Sequence, residues 1–182
     1  MKHVVYKLLF DFEKEEKWIN QMAAKGMNFV HYSIGRYLFE EGKSGEYSYR
    51  IELLKHYPSN PESIAYIRFM EDLGIECVAT YAYWVYFRKK ATEGPFDLFS
   101  DYESRILHYK RVSAITGLAF AVNIFCGLIN IGISLFINNG EYSIGNLMAG
   151  IANLTVAAAV FPAFNSYFKK MKNLTRERQL HE

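Results

Sequence analysis

Two long apolar stretches, Val112 to Ile137 and Ile144 to Phe168, enclose a single formal charge, Glu141, and basic residues crowd their outer ends. Each exceeds the roughly 20 residues, rising about 1.5 Å apiece, that cross about 30 Å of hydrocarbon. Helices of that length in soluble proteins seldom lack charge on every side. The pattern predicts a helical hairpin through a membrane. Arg105, Lys110 and Arg111 precede the first stretch, and Lys169, Lys170, Lys172, Arg176 and Arg178 follow the second, while the connecting Asn138 to Ser143 holds no lysine or arginine. By the positive-inside rule the protein is multi-pass with both termini in the cytoplasm. The domains that follow are a head at 1–90, a linker and juxtamembrane helix at 91–111, two transmembrane helices at 112–137 and 144–168, and a basic cytoplasmic tail at 169–182.

Charge supports this division. Met1 to Ser104 carries thirteen basic against sixteen acidic residues, so the positive charge hugs the membrane ends, where anionic lipid favours it. The slightly basic overall balance therefore says little about nucleic acid, and no direct nucleic-acid binding is expected. Cys77 and Cys126 fall in different regions, one in the head and one in the first span, which suits neither a disulfide nor a zinc site. The start of the chain is charged too soon, at Lys7 and Asp11, for a cleavable signal.

Within the head, Val4 to Phe10 reads as a strand. Asp11 offers an N-cap, Glu13, Glu15 and Glu16 an exposed acidic helix start, and Gly26 a stop, giving a helix from Phe12 to Lys25 with Phe12, Trp18, Ile19, Met22 and Ala23 as its buried stripe. Strands follow at Met27 to His31, Arg36 to Glu40 and Tyr47 to Leu54. Ser59 and Glu62 have capping-box spacing for a second helix that Gly74 ends, before strands at Ile75 to Thr80 and Trp84 to Arg88. The order strand-helix-strand-strand thus occurs twice. At a shift of 48 positions Ile19 meets Ile67, Met22 meets Met70, Gly26 meets Gly74, Val30 meets Val78 and Phe39 meets Phe87. The fold class expected is α+β: a duplicated strand-helix-strand-strand head with an antiparallel sheet and both helices on one face, then the hairpin.

Alternation points Tyr37, Phe39, Tyr49, Ile51, Leu53, Val85 and Phe87 at the helices and leaves Arg36, Arg50, Glu52, Trp84, Tyr86 and Arg88 on the other face. That face is either solvated or a contact surface, where Trp, Tyr and Arg supply binding area for an aromatic or cationic ligand or a protein. Ala91 to Phe99, with Gly94-Pro95, reads as an extended linker, and Ser100 or Asp101 caps a helix running on into the first span without a breaker.

In the spans, Asn123, Gly127 and Asn130 are matched in spacing by Asn146, Gly150 and Asn153. Glycines let backbones approach and amides in hydrocarbon need partners, so these faces are expected to seam the hairpin or a homo-oligomer. Pro162 is expected to bend the second helix. Histidines are scattered singly, and no metal motif, nucleophile elbow or phosphate-cradling glycine loop occurs. Neither catalysis nor a cofactor is expected.

The runs Asp11 to Trp18, Met22 to Gly26, Phe39 to Gly42 with Tyr47 to Arg50, Trp84 to Lys89, and Phe99 to Tyr109 resemble the domain of unknown function 2812 family of bacterial proteins. The resemblance implies a bacterial cell-membrane protein, with C-terminal membrane helices and a gene beside a PadR-type transcriptional repressor, and brings no catalytic residues. The family often places Trp after each helix-stopping glycine, where this chain has Met27 and Ile75. The duplicated order also resembles, at the level of fold, the paired modules of effector-binding domains that capture hydrophobic cations. The reading is a membrane-anchored cytoplasmic sensor or regulatory adaptor that binds a small amphipathic ligand or a PadR-type repressor. Its alternatives are an accessory subunit of a transporter and a structural tether.

Overall fold

Four antiparallel hydrogen-bond ladders, two to each sheet, organise the head. The computed structural model describes residues 1–99, 101–136 and 143–181, which form two compact units, Met1–Ser100 and Asp101–Glu182. The first unit runs β1 (Lys2–Tyr6), α1 (Phe12–Ala23), β2 (Met27–Ser33), β3 (Arg36–Glu41), β4 (Tyr47–Leu53), α2 (Pro61–Asp72), β5 (Glu76–Tyr81) and β6 (Trp84–Lys90). Its strands form two antiparallel three-stranded sheets, ordered β1-β3-β2 and β4-β6-β5, where the sequence led us to expect one. The duplication is visible in both order and detail. Each second ladder slips by one residue at the same place, Val30 in the first module and Val78 in the second.

Local chemistry sets the ends. The Asp11 carboxylate accepts from the backbone N–H groups of Glu13 and Lys14 and starts α1. α2 is capped by Asn60, whose side chain accepts from Glu62 N, and not by Ser59, because Pro61 already occupies the first helical position. Both helices stop at glycines in the left-handed region, Gly26 at φ +81° and Gly74 at φ +79°.

The registers rearrange the expected faces. β4 and β6 pair Tyr49 with Arg88, Ile51 with Tyr86 and Leu53 with Trp84, while Arg50 faces Phe87 and Glu52 faces Val85. Residues paired across an antiparallel ladder share a face, so Ile51 and Val85 lie on opposite sides of this sheet, and both are buried. One side packs on α2 through Leu54, Met70, Val85 and Phe87; the other meets α1, where Phe12 stacks on Trp84. Phe96 and Leu98 complete the α2 side, so the expected extended linker instead folds onto the head.

In the second unit α3 (Tyr102–Phe136) and α4 (Ile144–His181) pack antiparallel, and each is long and apolar enough to cross a membrane. Asp101 accepts from Ser104 N at 2.8 Å at the start of α3. The alternative cap Ser100, Ile137 at the end of the first span and the turn with Glu141 lie outside the described residues. α4 runs unbroken through Pro162 and on through the basic segment, so the expected tail is helical.

Candidate functional site

The N-cap at Asp11 fixes which side of α1 faces inward. Phe12, Glu15, Ile19 and Ala23 are its buried residues, and Glu15 therefore sits on the apolar stripe at i+3 from Phe12. The sequence reading placed it on an exposed helix start. In fact it is 7% exposed. Tyr86 Oη donates to its Oε1 at 2.7 Å, and the fully buried Tyr37 hydroxyl also neighbours the carboxylate but completes no hydrogen bond. Burial pushes the Glu15 carboxyl above the ordinary range, outweighing the pull of Tyr86 and Tyr37. The same carboxylate raises both tyrosines further, after burial. No lysine, arginine or histidine forms an ion pair with Glu15 among the described residues.

Aromatic rings enclose this acid. Tyr32 lies 4.8 Å from Tyr37 and 5.6 Å from Tyr86, Phe29 lies 5.2 Å from Tyr86, and Trp18 meets Tyr37 edge-on at 4.8 Å. Tyr32 and Tyr81, rings 5.0 Å apart, are half-buried where β2 and β5 adjoin, so the cluster reaches solvent there. The slip at Val30 makes this possible: it brings Phe29 and Tyr32, three residues apart, onto the face of Phe39 and Tyr37. A buried carboxylate walled by electron-rich rings is chemically suited to a cation that carries apolar groups.

From the adjoining face, α1 does something else. Glu16 Oε2 accepts from Ile51 N at 2.9 Å, and Asn20 both donates to Tyr49 O at 3.0 Å and accepts from Tyr49 N at 2.9 Å. These side chains satisfy the outer edge of β4, which no strand covers.

The equivalent positions of the second module carry different chemistry. Ser63 replaces Glu15 and donates to His56 O at 3.0 Å; Val85 replaces Tyr37 and Thr80 replaces Tyr32. Its interior mixes aliphatic and aromatic side chains, with Leu54, Met70, Val85, Phe87 and Phe96 against Ile67 and Cys77, and burial pushes the Cys77 thiol up to about 11.

The surface expected from alternation is divided among several places. Arg36 lies at the end of β3, opposite Tyr6 and Ser33. Arg50 pairs with Glu16 and lies 5.8 Å from the Phe96 ring, and the buried Glu52 accepts from Tyr66 at 2.7 Å, both on the α2 side. Trp84 packs on Phe12, Tyr86 is the Glu15 donor, and Arg88 grips Glu76 through two contacts of 2.8 Å beside Tyr47. Only Tyr86 of this set belongs to the acid cluster. Alternation orders residues within a strand but leaves the register between strands open.

In the hairpin, a Cβ on Gly127 would lie 3.3 Å from Gly150 O and one on Gly150 3.0 Å from Gly127 O, so these glycines seam α3 to α4 within one chain. Asn123 and Asn130 donate to the carbonyls of Ala119 and Cys126 one turn back in their own helix rather than across the seam. Asn146 N meets Ser143 Oγ at 3.5 Å, and Asn153 is half-buried on α4. Nearer the head-side end, His108 is buried and pulled down to about 4, by desolvation first and then by Arg111.

Glu15, Tyr32, Tyr37 and Tyr81 are the residues that sequence reasoning missed. The i, i+3, i+7 spacing of Phe12, Glu15 and Ile19 was a signal for the first. No curated protein and no solved structure matches the chain. A family model described as a protein of unknown function (DUF2812) matches residues 11–121, from the cap of α1 into α3. The chain belongs to that family.

Proposed function

We propose that this protein is a membrane-anchored regulatory module that senses an amphipathic cation through its head and performs no catalysis. Both termini face the cytoplasm, following the basic flanks of the two spans. The observation that carries the reading is Glu15: a buried acid with no cation partner among the described residues, ringed by tyrosines, at a position where the twin module uses a serine. An uncompensated buried carboxylate costs the fold stability, and a cation placed beside it offsets that cost. The occupied head then acts on a partner, for which the PadR-type repressor implied by the family resemblance is the candidate.

The test uses the full chain in phosphatidylcholine nanodiscs, with tetraphenylphosphonium as cationic probe, tetraphenylborate as anionic probe and triphenylphosphine oxide as neutral probe. Tryptophan emission should respond saturably to the cation, and Glu15→Gln should weaken that response by at least about tenfold, the loss expected from about 1.4 kcal/mol. If none of the probes gives a saturable response beyond empty discs, the sensing role fails. If Glu15→Gln binds the cation as the parent does, the assigned site is wrong. Impermeant labels on intact cells should reach neither terminus.

A further inference from the structure

A group of large apolar side chains stands uncovered at one end of the β1-β3-β2 sheet. Tyr6 is 76% exposed, Leu8 69%, Phe10 53% and Ile34 75%. Tyr6 pairs with Arg36, Lys7 N donates to Gly35 O at 2.8 Å, and a Cβ on Gly35 would lie 2.9 Å from Leu8 Cδ2. These contacts pin the segment after β1 beside the β2–β3 turn, so Tyr6, Leu8 and Ile34 share a rim, with Phe10 two residues beyond Leu8. The second module fills part of the same place: Leu54, 48 positions after Tyr6, is buried in its core, and Ala82 stands where Ile34 does. Tyr57 and Tyr83 remain exposed there, at 54% and 45%, but meet each other edge-on with ring centroids 5.6 Å apart, so the first module is the more open of the two.

Within the segments that form the rim the formal charges have one sign, and the adjoining acid, Asp11, is held as the N-cap of α1. Met1 to Phe10 and Val30 to Leu38 contain Lys2, Lys7 and Arg36 and no aspartate or glutamate. Glu40 and Glu41 lie towards the other end of the ladder, where they engage Lys2 and His3. Lys7 holds its ammonium 4.5 Å from the Trp18 ring.

We propose that this rim is a membrane-contact surface: Tyr6, Leu8, Phe10 and Ile34 enter the headgroup boundary of an anionic bilayer while Lys7 and Arg36 meet its phosphates. Aromatic and aliphatic side chains flanked by bases are what such a boundary accepts. The bilayer is chosen over a protein partner because the same chain carries two helices able to cross one. Tethering holds lipid near the head at high effective concentration, an advantage that a separate protein lacks. The observation is independent of the Glu15 cluster, so either reading can fall without the other.

The experiment uses the full chain with Cys77→Ala and Cys126→Ala, a single Leu8→Cys carrying an environment-sensitive fluorophore, and a control label at Lys43→Cys in the exposed β3–β4 turn. The protein is reconstituted in vesicles of phosphatidylcholine and phosphatidylglycerol with or without brominated acyl chains. Quenching by brominated lipid should be several-fold greater at position 8 than at position 43, and Lys7→Gln with Arg36→Gln should remove most of that excess. A label at position 8 that stays open to aqueous iodide and is not quenched by brominated lipid overturns the proposal. So does a label shielded from iodide but not quenched by lipid, since protein then covers the rim. Unchanged quenching in the double glutamine variant would overturn the role of the bases.

Discussion

The two modules of the head carry their ladder slips at Val30 and Val78 and their helix stops at Gly26 and Gly74, yet they enclose different interiors. Over the first ladder α1 presents Glu15 to Tyr37, and Tyr86 of the second sheet reaches across to the same carboxylate. Over the second, α2 presents Met70, with Ile67 beside it, to Val85 and Phe87, and its Ser63 is satisfied locally. The second module also buries an acid, Glu52, but on a strand and bonded to the single tyrosine Tyr66, so the frame folds without a buried acid on its helix ringed by several tyrosines. The difference separates what the duplicated architecture requires from what the first module adds to it.

The comparison can be broken most forcefully at the shared frame. Phe39→Ala and Phe87→Ala, equivalent and both fully buried, should each cost about 3–5 kcal/mol. Denaturant unfolding followed by tryptophan emission reads this, since Trp18 and Trp84 both lie in the head. Much smaller loss in one twin would show that the modules do not bear load alike. Next comes the edge of β4: Asn20→Ala strands Tyr49 N, leaves Tyr49 O to Arg50 Nη1, and should cost about 1–3 kcal/mol. Its exposed counterpart Arg68→Ala should stay within about 0.5 kcal/mol.

The glycine stops should differ by less. Both Gly26→Ala and Gly74→Ala force a side chain into the left-handed region at about 1–2 kcal/mol. Gly26→Ala should cost more, because its Cβ would lie 2.8 Å from Gly42 O whereas that of Gly74 meets nothing nearer than 3.9 Å. The smallest effect has the opposite sign. Glu15 has a folded pKa raised above its ordinary value, so its ionisation opposes folding, and stability declines as pH climbs from about 4.5 through the folded pKa. Glu15→Gln should therefore stabilise the head at pH 7, with the advantage shrinking towards pH 4.5, as thermal melts across that range would record. Ser63→Ala should show no such pH dependence.

Much of this frame was legible in the residues. The caps and stops at Asp11, Gly26 and Gly74 act locally, and the membrane-length helices declare themselves by composition. The sequence reading recovered the strand and helix order because each element is encoded by its own few residues. Register is not encoded that way. Pairing Ile51 with Tyr86 rather than with Val85 puts both faces of the second sheet to use, and nothing within either strand announces it. The Glu15 cluster draws on α1, β2, β3, β5 and β6, and the slip at Val30 shifts Tyr32 off the simple alternation that would have placed it away from Phe29. Glu15 itself was judged by its charge and its place in the first turn, when its spacing from Phe12 and Ile19 was the better guide.

The grip of Glu16 and Asn20 on β4 has a consequence for how the duplicated head can be divided. The helix of one repeat does the work of a bordering strand for the other, so the repeats are not beads on a string. Sever the polypeptide between them, and the downstream half would carry a raw sheet border ready to zip onto its neighbours and precipitate, however well its own interior is filled.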